Sequence, residues 1–447
     1  MKTIYILTIF TLSLFAFDPL YTTNATISPI AGCRQIDTNS KITLVDALEL
    51  ALCNDPKTKK AYASIMKSAA DVGVSRSAYL PNISASGAQP FFSDPPNQNN
   101  LNGSAGLNLS LLVYDFGQTS SAVLNAEKLL ESANFTGQSA VQAIFLKTIQ
   151  DYCLVLATKE SVEAAKISEN SAYESYLAAT AKFNAGTVTV ADKLQAQTAW
   201  AQSALAAVSA NGDYILAKAT LASDLAISLE KDLDIALLPS PNTTTVFSAK
   251  IKDLIDTAIK QRADLKASFA QVEAAKAIVT QNQSSYMPKI TIGGQLGYMD
   301  QYLFPPPNNS MLSVNITIPI FSGFSTYYQV RSSKEQVNVK QSDYDLALRD
   351  IKLEVYKAYN NFITKTKSLQ TTQILLDSAE QSEKVARGRY EAGVGKMIDL
   401  LSAQSALQSA RQQKIKAELD WRSAKSELAY SMGALSVDEI KNEVIKR

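Results

Sequence analysis

Apolar and polar positions along the chain follow two different rhythms. Strict alternation occupies Leu107-Asn108-Leu109-Ser110-Leu111 and Val314-Asn315-Ile316-Thr317-Ile318, which predicts strands with one apolar face. Ile83 to Phe91 and Ile290 to Tyr298 are their expected partners, joined through the Pro/Asn-rich loops Asp94-Pro95-Pro96-Asn97 and Pro305-Pro306-Pro307-Asn308. After Gly117 and Gly323 the spacing changes to steps of three and four, as in Leu348, Ile351, Val355, Ala358 and Phe362, the rhythm of a coiled coil. This predicts helices from about Gln118 to Asn184 and from about Ser325 to Glu391, neither interrupted by proline. At ~1.5 Å per residue, about 67 residues make a rod of roughly 100 Å. Gly186 and Gly393 stand where glycine ends a helix, and return helices rich in small residues run to about Ile227 and Met432. A leading helix, Thr43 to Arg76 or Ile251 to Gln283, precedes each strand pair and is stopped by a Tyr-x-Pro.

The two sets of elements are copies of one another. Tyr79-Leu80-Pro81 recurs as Tyr286-Met287-Pro288, Tyr114 as Phe321, Phe183-Asn184-Ala185-Gly186 as Tyr390-Glu391-Ala392-Gly393, and Asp192 and Gln197 as Asp399 and Gln404. Every pair is 207 residues apart, so the matched stretch carries no net insertion and both halves fold alike. The expected divisions are 1–25 as a signal peptide, 26–230 as the first repeat, 231–248 as a linker around Pro239-Ser240-Pro241-Asn242-Thr243, 249–434 as the second repeat and 435–447 as a tail.

Helices this long must pack along other helices, so an elongated molecule is expected. Four strands are too few to close a membrane barrel, and an open sheet leaves edges that lipid does not tolerate. Copies of the chain must supply the missing strands: two give eight and three give twelve, with a wider lumen. Leu107, Leu109, Leu111, Val314, Ile316 and Ile318 then face lipid, and Phe91, Phe92, Tyr298, Tyr302 and Phe304 form an interfacial girdle. A soluble sheet packed on one face uses the same alternation and is the plainer reading of the strands alone.

Composition narrows the function. Lys plus Arg is 43 and Asp plus Glu is 42, so there is no basic excess for nucleic acid. The absence of histidine removes His-based nucleophilic catalysis and His-ligated metal, and no carboxylate cluster or Gly-rich phosphate loop marks an enzyme; no cofactor is expected. Lys2 followed by the apolar Ile4 to Phe17 reads as an export signal, with Thr23-Asn24-Ala25 as a weak cleavage candidate. No later apolar run reaches 18 residues, leaving strands to make any membrane crossing. In an oxidising compartment Cys33 and Cys53 are candidates for a disulfide, with Cys153 free; lipidation of Cys33 within Ile30-Ala31-Gly32-Cys33, or unrelated thiols, are the alternatives.

The opening Leu44-Val45-Asp46-Ala47-Leu48…Ala51-Leu52, the Tyr-x-Pro before each strand pair and the Tyr-Glu-Ala-Gly…Asp-Leu-Leu tip resemble the TolC family of outer-membrane factors, over about Thr43 to Met432. The resemblance implies a mixed fold: a trimeric 12-stranded transmembrane β-barrel, four strands per chain, continued by a long periplasmic α-helical barrel of coiled coils. It implies the outer membrane of a Gram-negative bacterium, and partners in a periplasmic adaptor and an inner-membrane transporter of the ABC, RND or MFS class. The function implied is a passive exit channel for efflux or type I secretion, opened at its periplasmic tip. It places the entrance at Asp192, Tyr390, Lys396 and Asp399. The family's tip arginine falls on Gly395, leaving Lys396 as a neighbouring point charge, and its second acidic ring falls on Ser402. Three copies of Asp399 on an axis form a negative mouth open to cation block, with no dedicated metal site. The plainer role for Asp192 and Asp399 is to sit at the start of return helices, where negative charge suits the dipole. The rival function is a periplasmic coiled coil without a pore.

Overall fold

The computed structural model describes residues 18–20, 22–25, 41–88, 104–230, 233–239, 250–299 and 309–435. The expected strand-joining loops, Cys33, most of the leader and the C-terminal tail lie outside them, as do the side chains of all five girdle aromatics. In chain order the elements are α1 (Leu44–Asn54), α2 (Pro56–Ser77), β1 (Asn82–Ala88), β2 (Ser104–Tyr114), α3 (Gln118–Asn184), α4 (Val190–Asp224), α5 (Ile251–Gln261), α6 (Ala263–Ser284), β3 (Lys289–Met299), β4 (Asn309–Thr317), α7 (Ser325–Glu391) and α8 (Met397–Ser431).

The single leading helix expected in each repeat is in fact two. Pro56 forbids helical geometry at Asp55, which is extended (φ −60°, ψ 126°), and α1 ends there. Arg262 adopts the same conformation (φ −60°, ψ 123°) with no proline after it. The strand around Ile316 also stops earlier than expected, at Thr317, because Pro319 follows two residues on and Ile318 is left outside the ladder.

One compact unit comprises residues 62–136 and 264–347 with the N-terminal segment. Its sheet is antiparallel in the order β1-β2-β3-β4, so the two repeats meet at β2 and β3. The register sorts most side chains by face. Ile83, Leu109, Gly294 and Leu312 stand in one row across the sheet, and Leu111, Ile292 and Val314 in the next row on the same face. The opposite face carries Ser84, Asn108, Gln295 and Met311 in one row and Ser110, Gly293 and Ser313 in another. The apolar face is uncovered: Ile83 is 69% exposed, Leu312 78% and Val314 67%. A soluble sheet would bury that face against a second layer.

Both long helices start from a tight turn. Asp115 accepts hydrogen bonds from the backbone and hydroxyl of Thr119 (2.7 and 2.5 Å), and 207 residues later the Thr326 amide donates to the Ser322 hydroxyl. The next two residues of each turn, Phe116-Gly117 and Gly323-Phe324, have positive φ, which explains one glycine in each pair. Ala-rich α6 brings its backbone close to α3, where Asn125 and Ser132 donate to the carbonyls of Ala274 and Ala267. Of the segment expected to be removed on export, Leu20 accepts from Arg76 and Thr22 is buried beside Gly73.

The other unit comprises residues 29–61, 137–263 and 348–447. Its main core gathers Leu44, Leu48 and Ala51 of α1, Phe145, Ile149 and Val155 of α3, and Leu221 of α4. By length and composition alone α3 contains a stretch apolar enough to cross a membrane, although no uninterrupted apolar run marks it. The buried Tyr152 donates to the carbonyls of Ile42 and Ala236 (3.0 and 2.6 Å), sealing the parallel bridge between Ile42 and Ile235. Along α7 the expected seam has Ile351, Val355, Ala358 and Phe362 buried and Leu348 half-buried. Leu400, Ala403, Leu407, Ala410, Ala417, Trp421, Ala424 and Leu428 of α8 repeat the same spacing of threes, fours and sevens.

Candidate functional site at the helix tips

The two helical hairpins, α3–α4 and α7–α8, turn through matching loops. Gly186 (φ 72°) and Gly393 (φ 77°) take the left-handed conformation that stops α3 and α7, and their amides donate to the carbonyls of Phe183 and Tyr390. The loops then diverge. Thr189 caps α4 with a reciprocal box: its hydroxyl accepts from the Asp192 amide at 3.2 Å, and the Asp192 carboxylate accepts from the Thr189 amide at 3.1 Å and hydroxyl at 2.8 Å. Lys396 occupies the equivalent place before α8 and makes no side-chain cap, so Asp399 is left exposed on the first turn.

Tyr390 packs among Ala179, Ala196, Met397 and Leu400, only 4% exposed, which joins the ends of both hairpins in one small core. Its hydroxyl is buried without a hydrogen-bond partner, and burial, assisted by the charge of Asp192, pushes its pKa up. Asp192 and Tyr390 are thus electrostatic neighbours that are not hydrogen-bonded. The contact that does cross between hairpins comes from Lys182, whose Nζ donates to the Tyr390 carbonyl at 2.6 Å and sits 4.0 Å from the centre of its ring.

The turn leaves no room at Gly395, the position where the resemblance expects an arginine. A Cβ at Gly395 would lie 2.9 Å from the Tyr390 amide nitrogen and 3.0 Å from the Arg389 carbonyl carbon, so this turn excludes any side chain there. Arg389, Asp399 and Ser402 line an open groove beside it.

Farther from the tips, Gln404 donates to Ser175 (2.9 Å) and Ser171 (3.2 Å), while Arg387 pairs with Glu383 and bonds Ser171. Ser171, Glu383 and Gln404, with Gln202 and Arg411, line a polar cavity of about 250 Å³ among α3, α4, α7 and α8. Lys182, Arg387 and Ser171 were not singled out in the sequence. Their i,i+3 and i,i+4 neighbours give no sign of which helix lies opposite.

Comparison with known proteins places this arrangement. The family described as outer membrane efflux protein matches residues 47–226 and 254–434, one match for each repeat. The chain is 26% identical over 384 residues to protein CyaE of Bordetella pertussis, covering 84% of this chain and 80% of that protein. It is 23% identical over 426 residues to the alkaline protease secretion protein AprF of Pseudomonas aeruginosa, covering 90% and 86% respectively. Among solved structures, the outer membrane protein VceC of Vibrio cholerae superposes with a TM-score of 0.74 at 20% identity, over 87% of this chain and 96% of VceC. The reading as a pore-less coiled coil finds no support among these matches. The chain belongs to the outer membrane efflux protein family, the TolC family expected from its motifs, and is an outer-membrane exit channel with a large periplasmic part.

Proposed function

We propose that three copies of the chain form the channel, each giving four strands to a 12-stranded barrel. The observation that carries this is the sheet itself: one face is apolar and uncovered, the other is polar, and the outer edges of β1 and β4 have no partner strand among the described residues. Closure with neighbouring copies pairs both edges, turns the apolar face to lipid and the Ser/Asn/Gln face to a water-filled lumen. Exposed Leu205, Val208 and Ile215 on α4 give the helical part an apolar row for the same association.

The channel is passive, performs no catalysis, and works with a periplasmic adaptor and an energised inner-membrane transporter; its own walls do not choose the cargo. AprF serves alkaline protease secretion by name, and its likeness over nearly the whole chain supports protein export as one such role. We place the entrance at the helix tips, with Tyr390, Asp192 and Lys396 around the closed mouth and Asp399 as an acidic ring. The capping box that occupies Asp192 supports a structural part for it, whereas Asp399 makes no cap and is free to face a cation. Purified protein in planar bilayers should conduct and be blocked by a trivalent cation from the tip side, and Asp399→Ala should weaken the block about tenfold or more. Conduction with an unchanged block removes the acidic ring from the reading; a lipid-free soluble monomer removes the channel.

Export also favours a Cys33–Cys53 disulfide, since Cys153 is free and buried. Peptide mapping of unreduced protein should recover the two cysteines in one linked species, and an acylated Cys33 would replace this with a lipoprotein.

A further inference from the structure

We propose that Lys182 is the clamp that holds the two hairpin tips of one protomer together, an inference that rests on the tips being the channel entrance. Lys182 lies in the last turn of α3, yet both contacts of its ammonium group are to Tyr390, in the last turn of α7. The carbonyl it reaches belongs to a helix C-terminus and also accepts from the Gly393 amide; the helix dipole there attracts a cation. The ring beneath it is almost wholly buried, so the cation–π contact is shielded from water on one side.

The clamp is a product of divergence between the repeats. The residue 207 positions after Lys182 is Arg389, which is exposed, and the residue 207 positions before Tyr390 is Phe183, also exposed, with the Lys193 ammonium of its own hairpin 5.5 Å from its ring. One lysine therefore bridges hairpins while its relatives do not. Because the Tyr390 hydroxyl makes no hydrogen bond, the ring and the backbone carbonyl carry the contact. Gly395 admits no side chain, so no cation stands at that position of the second tip, and the one that contacts Tyr390 comes from the other hairpin.

The test uses the full-length oligomer in two measurements, amide hydrogen exchange at both tips and conductance in planar bilayers. Lys182→Met keeps the stem and removes the charge. It should speed exchange of the Ala185 and Gly393 amides about tenfold and raise the open fraction by a similar factor. Lys182→Arg should restore both, and Tyr390→Leu should reproduce the loss. Lys193→Met removes a charge at the same end without breaking a bridge between hairpins, and serves as the control. Unchanged tip exchange in Lys182→Met overturns the clamp, as does an equal response in Lys193→Met, which would mean that charge alone matters. Faster exchange with unaltered wild-type conductance overturns its part in gating. Faster exchange in a protein that never conducts, wild type included, supports the clamp and sinks the channel reading separately.

Discussion

Leu109→Arg should strip the folded oligomer from the outer-membrane fraction, whereas Asn108→Arg, one residue away, should leave it there with altered conductance. Leu109 lies near the middle of β2, against Ile83 on one side and Gly294 on the other, in the uncovered apolar row. Its side chain rests against Gly294, where a Cβ would come within 3.4 Å of it. An arginine at the bilayer midplane costs about 2–4 kcal/mol in a barrel strand. Three symmetry copies bring this to roughly 6–12 kcal/mol per assembly, comparable with the whole stability of a typical domain. Asn108 points to the other face, between Ser84 and Gln295, where a cation meets water and changes only the field in the lumen. Heat-modifiable oligomer on gels, measured for both variants in isolated outer membranes, separates the two outcomes. Equal tolerance of both arginines would mean that neither face meets lipid.

The contrast between neighbouring residues rests on alternation, which was the most legible feature of the sequence. Period two in β2 and β4 identified the strands, and the proline-free seam identified α3 and α7 to their ends. What alternation lacked was partnership. Nothing within either hairpin says that β2 pairs with β3, because that ladder joins segments nearly 200 positions apart in the chain. The break at Asp55 had a local cause in Pro56, but the one at Arg262 has none. Only the 207-residue repeat, carried through from Asp55, points to it.

The tip was legible in the same uneven way. Gly186 and Gly393 announce the turns, and Thr189-x-x-Asp192 is a capping box readable from four residues. Lys396-x-x-Asp399 keeps the acid and loses the cap, which the sequence shows as plainly. The bridge from Lys182 to Tyr390 was not readable, since it depends on which helix ends meet in space. The gap left at Gly395 was its one trace: no side chain fits there, and the cation on Tyr390 comes from the other hairpin.

Glu354→Ala should destabilise the second unit by about 3 kcal/mol, and Arg262→Met by clearly less, although they break the same ion pair. Arg262 is 8% exposed and reaches Glu354 at 2.7 Å, while Glu354 is 40% exposed. Removing the carboxylate takes this ionic partner from a guanidinium held in the interior; removing the arginine leaves a carboxylate that water already reaches. The arginine also donates to the Ser431 carbonyl and packs against the Gly433 backbone, which holds the end of α8 against the break between α5 and α6. In the first repeat the corresponding stations, Asp55 and Lys147, carry the opposite charges, and Lys147 pairs instead with Asp151 and Asp224. The two halves thus keep an ionic group at the same places with the signs exchanged, so a repeat-1 side chain cannot substitute in repeat 2. Amide exchange at Leu265 and Gly433 in the intact oligomer reads the loss locally, without requiring reversible unfolding of the whole assembly. Arg262→Met exchanging as fast as Glu354→Ala would show that the guanidinium bonds, and not the loss of the Glu354 carboxylate from beside a buried cation, set the stability of this joint.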